Sequence, residues 1–205
     1  MQPANRLFHF LRRHKLALVL ILAVLLRLIF LVLLADTLRF GDGAVHGSVA
    51  YDDLARNLLE TGIYGRTPGV ADSVLPPLYS IILAGIYAVF GRGFVQIALF
   101  HILLDLLSII LLDQICRRLF RQAVLWGVPA GEWVGTLAGL FYAAYPYLIF
   151  QNLTLNDTAL WIVLLHSFVL LLIVLRERPT FDRMTLVWAI LAGAVLGLAT
   201  LTRAL

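Results

Sequence analysis

Charge is scarce in this chain, and so are the residues that cross-link or chelate. A single cysteine, Cys116, excludes an internal disulfide and offers no thiolate cluster for a metal. Asp, Glu, Lys and Arg together make up 14% of the residues, against roughly 25% in a soluble domain. The first apolar run is longer than a usual leader core, carries Arg27 inside it and lacks a clear small-x-small cleavage site, so it reads as a retained anchor rather than a removable leader. There is no internal repeat and no low-complexity linker. The basic balance, pI near 9.6, does not signal nucleic acid, because the arginines sit in short segments beside apolar blocks, where they report orientation.

What the chain has instead is apolar length. Hydrophobic residues are 61% of it, with a mean hydropathy of +0.93. They fall in blocks close to the roughly 20 residues that a helix needs to cross about 30 Å of hydrocarbon. Lipid offers backbone groups no partners, so these blocks are expected to be helices, and the fold class to be an all-α polytopic membrane protein. The spans are placed at about 16–35, 94–115, 130–150, 155–175 and 185–202, in a single membrane domain covering 1–205.

The block at 76–90 is apolar but short, and charge decides its place. If it crosses, six basic residues lie inside and nine outside, which inverts the positive-inside rule. If it lies on the surface, ten lie inside (Arg6, Arg12, Arg13, Lys15, Arg117, Arg118, Arg121, Arg176, Arg178, Arg183) and five outside (Arg39, Arg56, Arg66, Arg92, Arg203). The second arrangement predicts five crossings, a cytoplasmic N-terminus, and a long outer segment over 36–93.

That segment carries two expected interfacial helices. From Ser48 to Glu60, Tyr51, Leu54, Ala55 and Leu58 share one face, with Asp52, Asp53, Arg56, Asn57 and Glu60 on the wetter side. Gly62, Gly65, Pro68 and Gly69 make a loop, and Pro76 and Pro77 open the second helix. Two charges inside spans, Arg27 and Asp105, both fall roughly 15–18 Å from the inner face at 1.5 Å per residue. They are expected to pair, with His101 one turn away facing the same side.

Several pieces, in order, resemble one family. They are AVLLRLIF (23–30), GDGAVHGSVAYDDLARNLLETGIYG (41–65), LPPLYSIILAGIYAVFG (75–91), CRRLF (116–120), AAYPYLIFQNLTLNDTAL (143–160) and GLATLTRAL (197–205). The set is similar to the first part of the GT-C superfamily of membrane glycosyltransferases, closest to the protein O-mannosyltransferases and lipid A aminoarabinose transferases. The resemblance implies transfer of a hexosyl or pentosyl group from a polyprenyl-phosphate donor to an acceptor lipid, glycan or protein on the outer side of a bacterial plasma or inner membrane. It also implies an acid in the first outer loop and a second acid after the third span.

On that basis Asp42 is the first candidate for the loop carboxylate, with Asp52 and Asp53 behind it, and Asp157 matches the second acid. Gly47 stands where the family's loop acid is expected, so Asp42 fills the role only with a longer loop. Arg203, Arg66 and Tyr79 are candidates for the lipid-phosphate and substrate contacts. A divalent metal, if one is used, would fall to Asp42 and Asp157. Plainer readings stay open: Asp52 and Glu60 each lie four residues from Arg56 and can form surface pairs. Asp53 can be a solvated position, Asp42 a turn residue in Gly-Asp-Gly, His46 a loop polar group, and Asp157 a helix cap. Arg203 can be an interfacial arginine. The family carries further spans, so the chain is expected to be incomplete, truncated, or dependent on a partner chain. A transporter or flippase for a lipid-linked sugar, and a non-catalytic assembly subunit, are the rival functions.

Overall fold

The computed structural model describes residues 3–35, 48–125, 127–178, 180 and 182–203. Helix α1 runs Pro3–Leu33, α2 Ser48–Thr61, α3 Pro77–Phe90 and α4 Phe94–Leu119. A two-residue hairpin, β1 Val124–Leu125 with β2 Val128–Pro129, leads into α5 Ala130–Ala144 and α6 Pro146–Gln151. Helices α7 Thr158–Arg176 and α8 Arg183–Thr202 complete the bundle.

Among the described residues, four stretches are long and apolar enough to cross a membrane: His14–Leu33 within α1, then α4, α7 and α8. The expected crossing at 130–150 is divided. Pro146 has no amide to continue α5, and the residue before a proline is pushed out of the helical region. Tyr145 accordingly sits at φ −69°, ψ 113°. The 15 residues of α5 reach about 22 Å, and the six residues of α6 follow beyond the break. Large apolar side chains such as Val32, Leu103 and Ile190 point outward, as they do where lipid replaces water.

Glycine allows a close contact between α5 and α4. Gly131, Gly135, Gly139 and buried Ala143 recur every fourth residue along α5 and face α4. A Cβ on Gly131 would lie 2.7 Å from the Arg117 Cα and the Cys116 carbonyl oxygen; one on Gly135 would lie 2.6 Å from Asp113 Oδ1. This small-residue stripe lets two backbones meet where hydrophobic burial alone drives little association.

Arg27 of α1 and Asp105 of α4 pair in the interior, as their matching depths predict. Arg27 Nε donates to Asp105 Oδ2 at 2.8 Å, and Nη2 lies 2.7 Å from the same oxygen. Nη1 donates to the carbonyls of Ala23 (3.3 Å) and Ala143 (3.0 Å), and the Tyr142 hydroxyl donates to Asp105 Oδ1 at 2.8 Å. One ion pair therefore joins α1, α4 and α5.

Further pairs mark two ends. Lys15–Glu132 (2.9 Å) and Arg118–Glu177 (2.5 Å) tie α1 to α5 and α4 to α7 at the end rich in basic residues. At the other end α2 and α3 pack on α4, α7 and the 152–157 turn. The shared core there includes Tyr51, Ala55, Tyr79, Leu83, Ile97, Leu155 and Leu160. Pro77 occupies the first turn of α3, and Gly91, at φ 79°, ends it. In α2 the predicted apolar face is buried, but Asp52 and Asn57, expected on the wetter side, are buried too. Each has found a partner off its own helix face: Asp52 as described below, and Asn57 through a 2.6 Å bond from its Nδ2 to the Gly65 carbonyl.

Two outcomes follow for stability in detergent. Gly131→Ala, whose new methyl meets backbone, should destabilise by about 1–3 kcal/mol, while Gly197→Ala, with open space around it, should not; thermal unfolding of the two variants checks this. Arg27→Ala and Asp105→Ala should each cost about 3–5 kcal/mol, with the double variant losing clearly less than the sum. Additive losses would show that the pair is not coupled.

Candidate functional site

The turn between α6 and α7 carries the acid that the sequence points to after the third span. The start of α7 is capped by Asn156, whose Oδ1 accepts from the Thr158 amide at 2.9 Å. Asp157 makes no capping bond with its side chain, so the plain reading of it as a helix cap does not account for it. Its carboxylate instead meets Arg203, which ends α8 in extended backbone at φ −145°, ψ 124°. Arg203 Nη2 donates to Oδ1 at 2.5 Å and Nε to Oδ2 at 3.1 Å, with a further bond from Nη2 to Thr158 Oγ1 at 3.1 Å. The guanidinium also lies over the Trp161 ring, 5.5 Å from its centroid. Asp157 is buried, which is tolerable because both oxygens are bonded to a cation. Arg203 is half-exposed, and its pKa is raised, chiefly by the hydrogen bonds to Asp157.

Tyrosines frame this pair. The Tyr51 hydroxyl is pushed up to about 12, first by burial and then by the negative charge of Asp157. It remains a proton donor at physiological pH. Tyr79 is fully buried and also held well above its usual range by burial. The two rings meet edge to face at 4.9 Å.

Behind the pair, α4 grips the turn at Asn152. Asn152 Nδ2 donates to Asp105 Oδ2 at 2.8 Å, and His101 Nδ1 lies 3.2 Å from the Asn152 carbonyl oxygen. A carbonyl only accepts, so Nδ1 carries the proton and Nε2 accepts from the Tyr79 hydroxyl at 2.8 Å. The Arg27–Asp105 pair thus extends, through Asn152 and His101, to the turn that ends at Asp157.

The other sequence candidates lie apart. Asp52 is buried and bonded by Arg92, from Nε to Oδ1 at 2.9 Å and from Nη2 to Oδ2 at 2.6 Å, and by the Tyr87 hydroxyl at 2.9 Å. This replaces the expected surface pair with Arg56, which sits 3.6 Å from Glu60 instead. Asp53 is partly buried, and its pKa is raised by that burial and by neighbouring Asp52. Two residues beyond Tyr51, it lies about 200° round α2 and faces away from Asp157. Arg66 closes a loop: its amide and Nε donate to Asp72 Oδ2 at 3.0 and 3.3 Å, and the Val74 amide donates to Oδ1 at 3.2 Å. Those amides hold the partly buried Asp72 carboxyl below its usual range. Asp42 and His46 lie outside the described residues.

Of the sequence candidates, the structure therefore brings together Asp157, Arg203 and Tyr79. It adds Tyr51, Trp161, His101 and Asn152, which sequence reasoning did not select for this site. Tyr51 was legible as an apolar-face position within the resembling stretch 41–65, and Asn152 as a member of the resembling stretch 143–160. Among the described residues, no three His, Cys, Asp or Glu side chains converge as a metal group. Both oxygens of Asp157 are engaged by a cation, which does not fit a metal at the same atoms.

A family model described as dolichyl-phosphate-mannose-protein mannosyltransferase matches residues 74–205, a stretch that includes Tyr79, Asp157 and Arg203 but not α2. No curated protein and no solved structure matches the chain. With a multi-helical membrane fold and a match over well over half its length, the chain belongs to the dolichyl-phosphate-mannose-protein mannosyltransferase family, of GT-C type.

Proposed function

We propose that this protein transfers a sugar from a polyprenyl-phosphate donor to a lipid, glycan or protein acceptor on the non-cytoplasmic side of a cell membrane, with Arg203 receiving the donor phosphate. The observation that carries the reading is the Asp157–Arg203 pair. Its bidentate contact uses the Nε–Nη2 edge of the guanidinium. The Nη1 side remains to meet a phosphate oxygen, and Asp157, Thr158 and Trp161 hold the plane in place.

Orientation follows from charge. Lys15, Arg117, Arg118, Arg121, Arg176, Arg178 and Arg183 belong to the opposite end of the bundle from Asp157. The positive-inside rule puts that end in the cytoplasm and Asp157 outside.

In the transfer, the bond between the anomeric carbon and the phosphate oxygen breaks, and a bond to the acceptor oxygen or nitrogen forms. The acceptor's proton goes to a carboxylate, and the leaving phosphate gains negative charge. Arg203 answers that charge. We assign the base to Asp42. Asp52 is occupied by Arg92 and Tyr87, and Asp53 faces away from Asp157, so the acid flanked by Gly41 and Gly43 just before α2 is the remaining loop candidate. The interior polar groups Arg27, Asp105, Asn152, His101 and Tyr79 bond one another rather than lining a path, which favours a transferase over a transporter.

Transfer from a panel of polyprenyl-phosphate sugars, measured in membranes containing the protein, tests the assignment. Arg203→Ala should lower the rate by about 10²–10³-fold. Arg203→Lys should recover little of it, because a point charge cannot replace the fork. Asp42→Ala should lose about 10²–10⁴-fold. Rates in Arg203→Ala and Asp42→Ala equal to that of the unaltered protein would defeat both roles.

A further inference from the structure

The basic end of the bundle holds a second feature, unrelated to sugar transfer. Where α4 and α7 end, a cavity of about 340 Å³ opens between Arg118, Arg121, Arg176 and Glu177, with Leu119 and Ile173 as an apolar wall. Scattered arginines are ordinary beside membrane spans. These converge, and among the described residues their charge is not balanced by carboxylates.

Neighbouring arginines show the contrast. Arg117 is answered by Asp113 at 2.6 Å, and Arg178 by Asp182 at 3.6 Å. In the cavity, Glu177 alone serves Arg118 at 2.5 Å and Arg121 at 3.5 Å. Among the described residues, Arg176 makes no salt bridge to a carboxylate. Three guanidinium groups face one carboxylate, an excess of two positive charges. The C-terminal ends of α4 and α7 each contribute about half a negative charge. About one positive charge is left, at the level where two spans leave the hydrocarbon, beside apolar side chains.

We propose that this cavity binds the phosphodiester of an anionic phospholipid headgroup. A single phosphodiester supplies the one missing negative charge, and arginine suits its oxygens. The wall of Leu119 and Ile173 suits the lipid's glycerol and first acyl carbons, which a free phosphate lacks. A headgroup there bridges the ends of α4 and α7 and relieves the repulsion between Arg121 and Arg176. Assigning it to the cytoplasmic leaflet rests on the orientation proposed above; the binding itself does not.

Native mass spectrometry of the purified protein in a neutral detergent tests this without reference to transfer activity. Phosphatidylglycerol, phosphatidylcholine and inorganic phosphate are added separately. Phosphatidylglycerol should be retained and should raise the unfolding temperature, while phosphatidylcholine and phosphate should do neither. The Arg121→Gln/Arg176→Gln double variant leaves the Arg118–Glu177 bridge in place and should lose phosphatidylglycerol by about tenfold or more. Arg203→Gln, at the other end, should retain it. Glu177→Gln should bind it more tightly, a change of opposite sign that no loss of folding can imitate. Equal retention of phosphatidylglycerol and phosphatidylcholine, or unchanged binding in both the double variant and Glu177→Gln, would overturn the site. Displacement of phosphatidylglycerol by an equal concentration of phosphate would overturn its assignment to a lipid.

Discussion

An arginine and an aspartate buried in an apolar bundle must satisfy each other, and in this protein the rest of the structure is arranged around that requirement. The charges of Arg27 and Asp105 have no water to fall back on. The remaining donors and acceptors around them are therefore recruited from other elements. The Ala143 carbonyl and the Tyr142 hydroxyl come from α5, the Ala23 carbonyl from α1, and the Asn152 amide from the turn before α7. Each bond needed to keep two charges in a low-dielectric interior also fixes one more segment in space. Asn152 is the consequential one, because it lies five residues before Asp157 in the same turn. The interior pair thus sets the position of the candidate site at the end of the bundle.

The glycine stripe of α5 makes this arrangement possible. With Gly131, Gly135 and Gly139 against α4, the two backbones come close enough for Ala143 and Tyr142 to reach the ion pair at the next turn. The two ends of the bundle then differ in kind. At one, buried acids are matched by arginines distant in sequence, and aromatic side chains pack beside them: Asp157 with Arg203, Asp52 with Arg92. At the other, arginines exceed the acids within reach, and the surplus lines the cavity where α4 and α7 end. The first end suits a reaction in which phosphate leaves, and the second suits holding a lipid that stays.

Much of the fold was legible in the residues. Apolar length located the helices, Pro76 and Pro77 marked the start of α3, and matching depth brought Arg27 to Asp105. The break at Tyr145 was also written in Pro146, but an apolar block long enough to cross concealed it. The candidate site was legible by residue type and not by arrangement. Asp52 had a partner four residues away on its own helix, and local spacing favoured that pair. The structure joins it instead to Arg92, 40 positions on, because α2 and α3 bury that face together and exclude the solvent that would have made the local pair sufficient.

Composition and spacing by themselves determined that this is a membrane bundle, which stretches are helical, which end is basic, and how deep the interior charges lie. These depend on helix rise and on the thickness of hydrocarbon, both of which apply to a chain read in isolation. Only the tertiary structure decided which acids are already spoken for and by which arginine. Asp157 and Arg203 are 46 positions apart, and their meeting depends on how α7 and α8 pack side by side. A buried carboxylate takes whichever cation the packing delivers, and that choice is made between helices rather than along them.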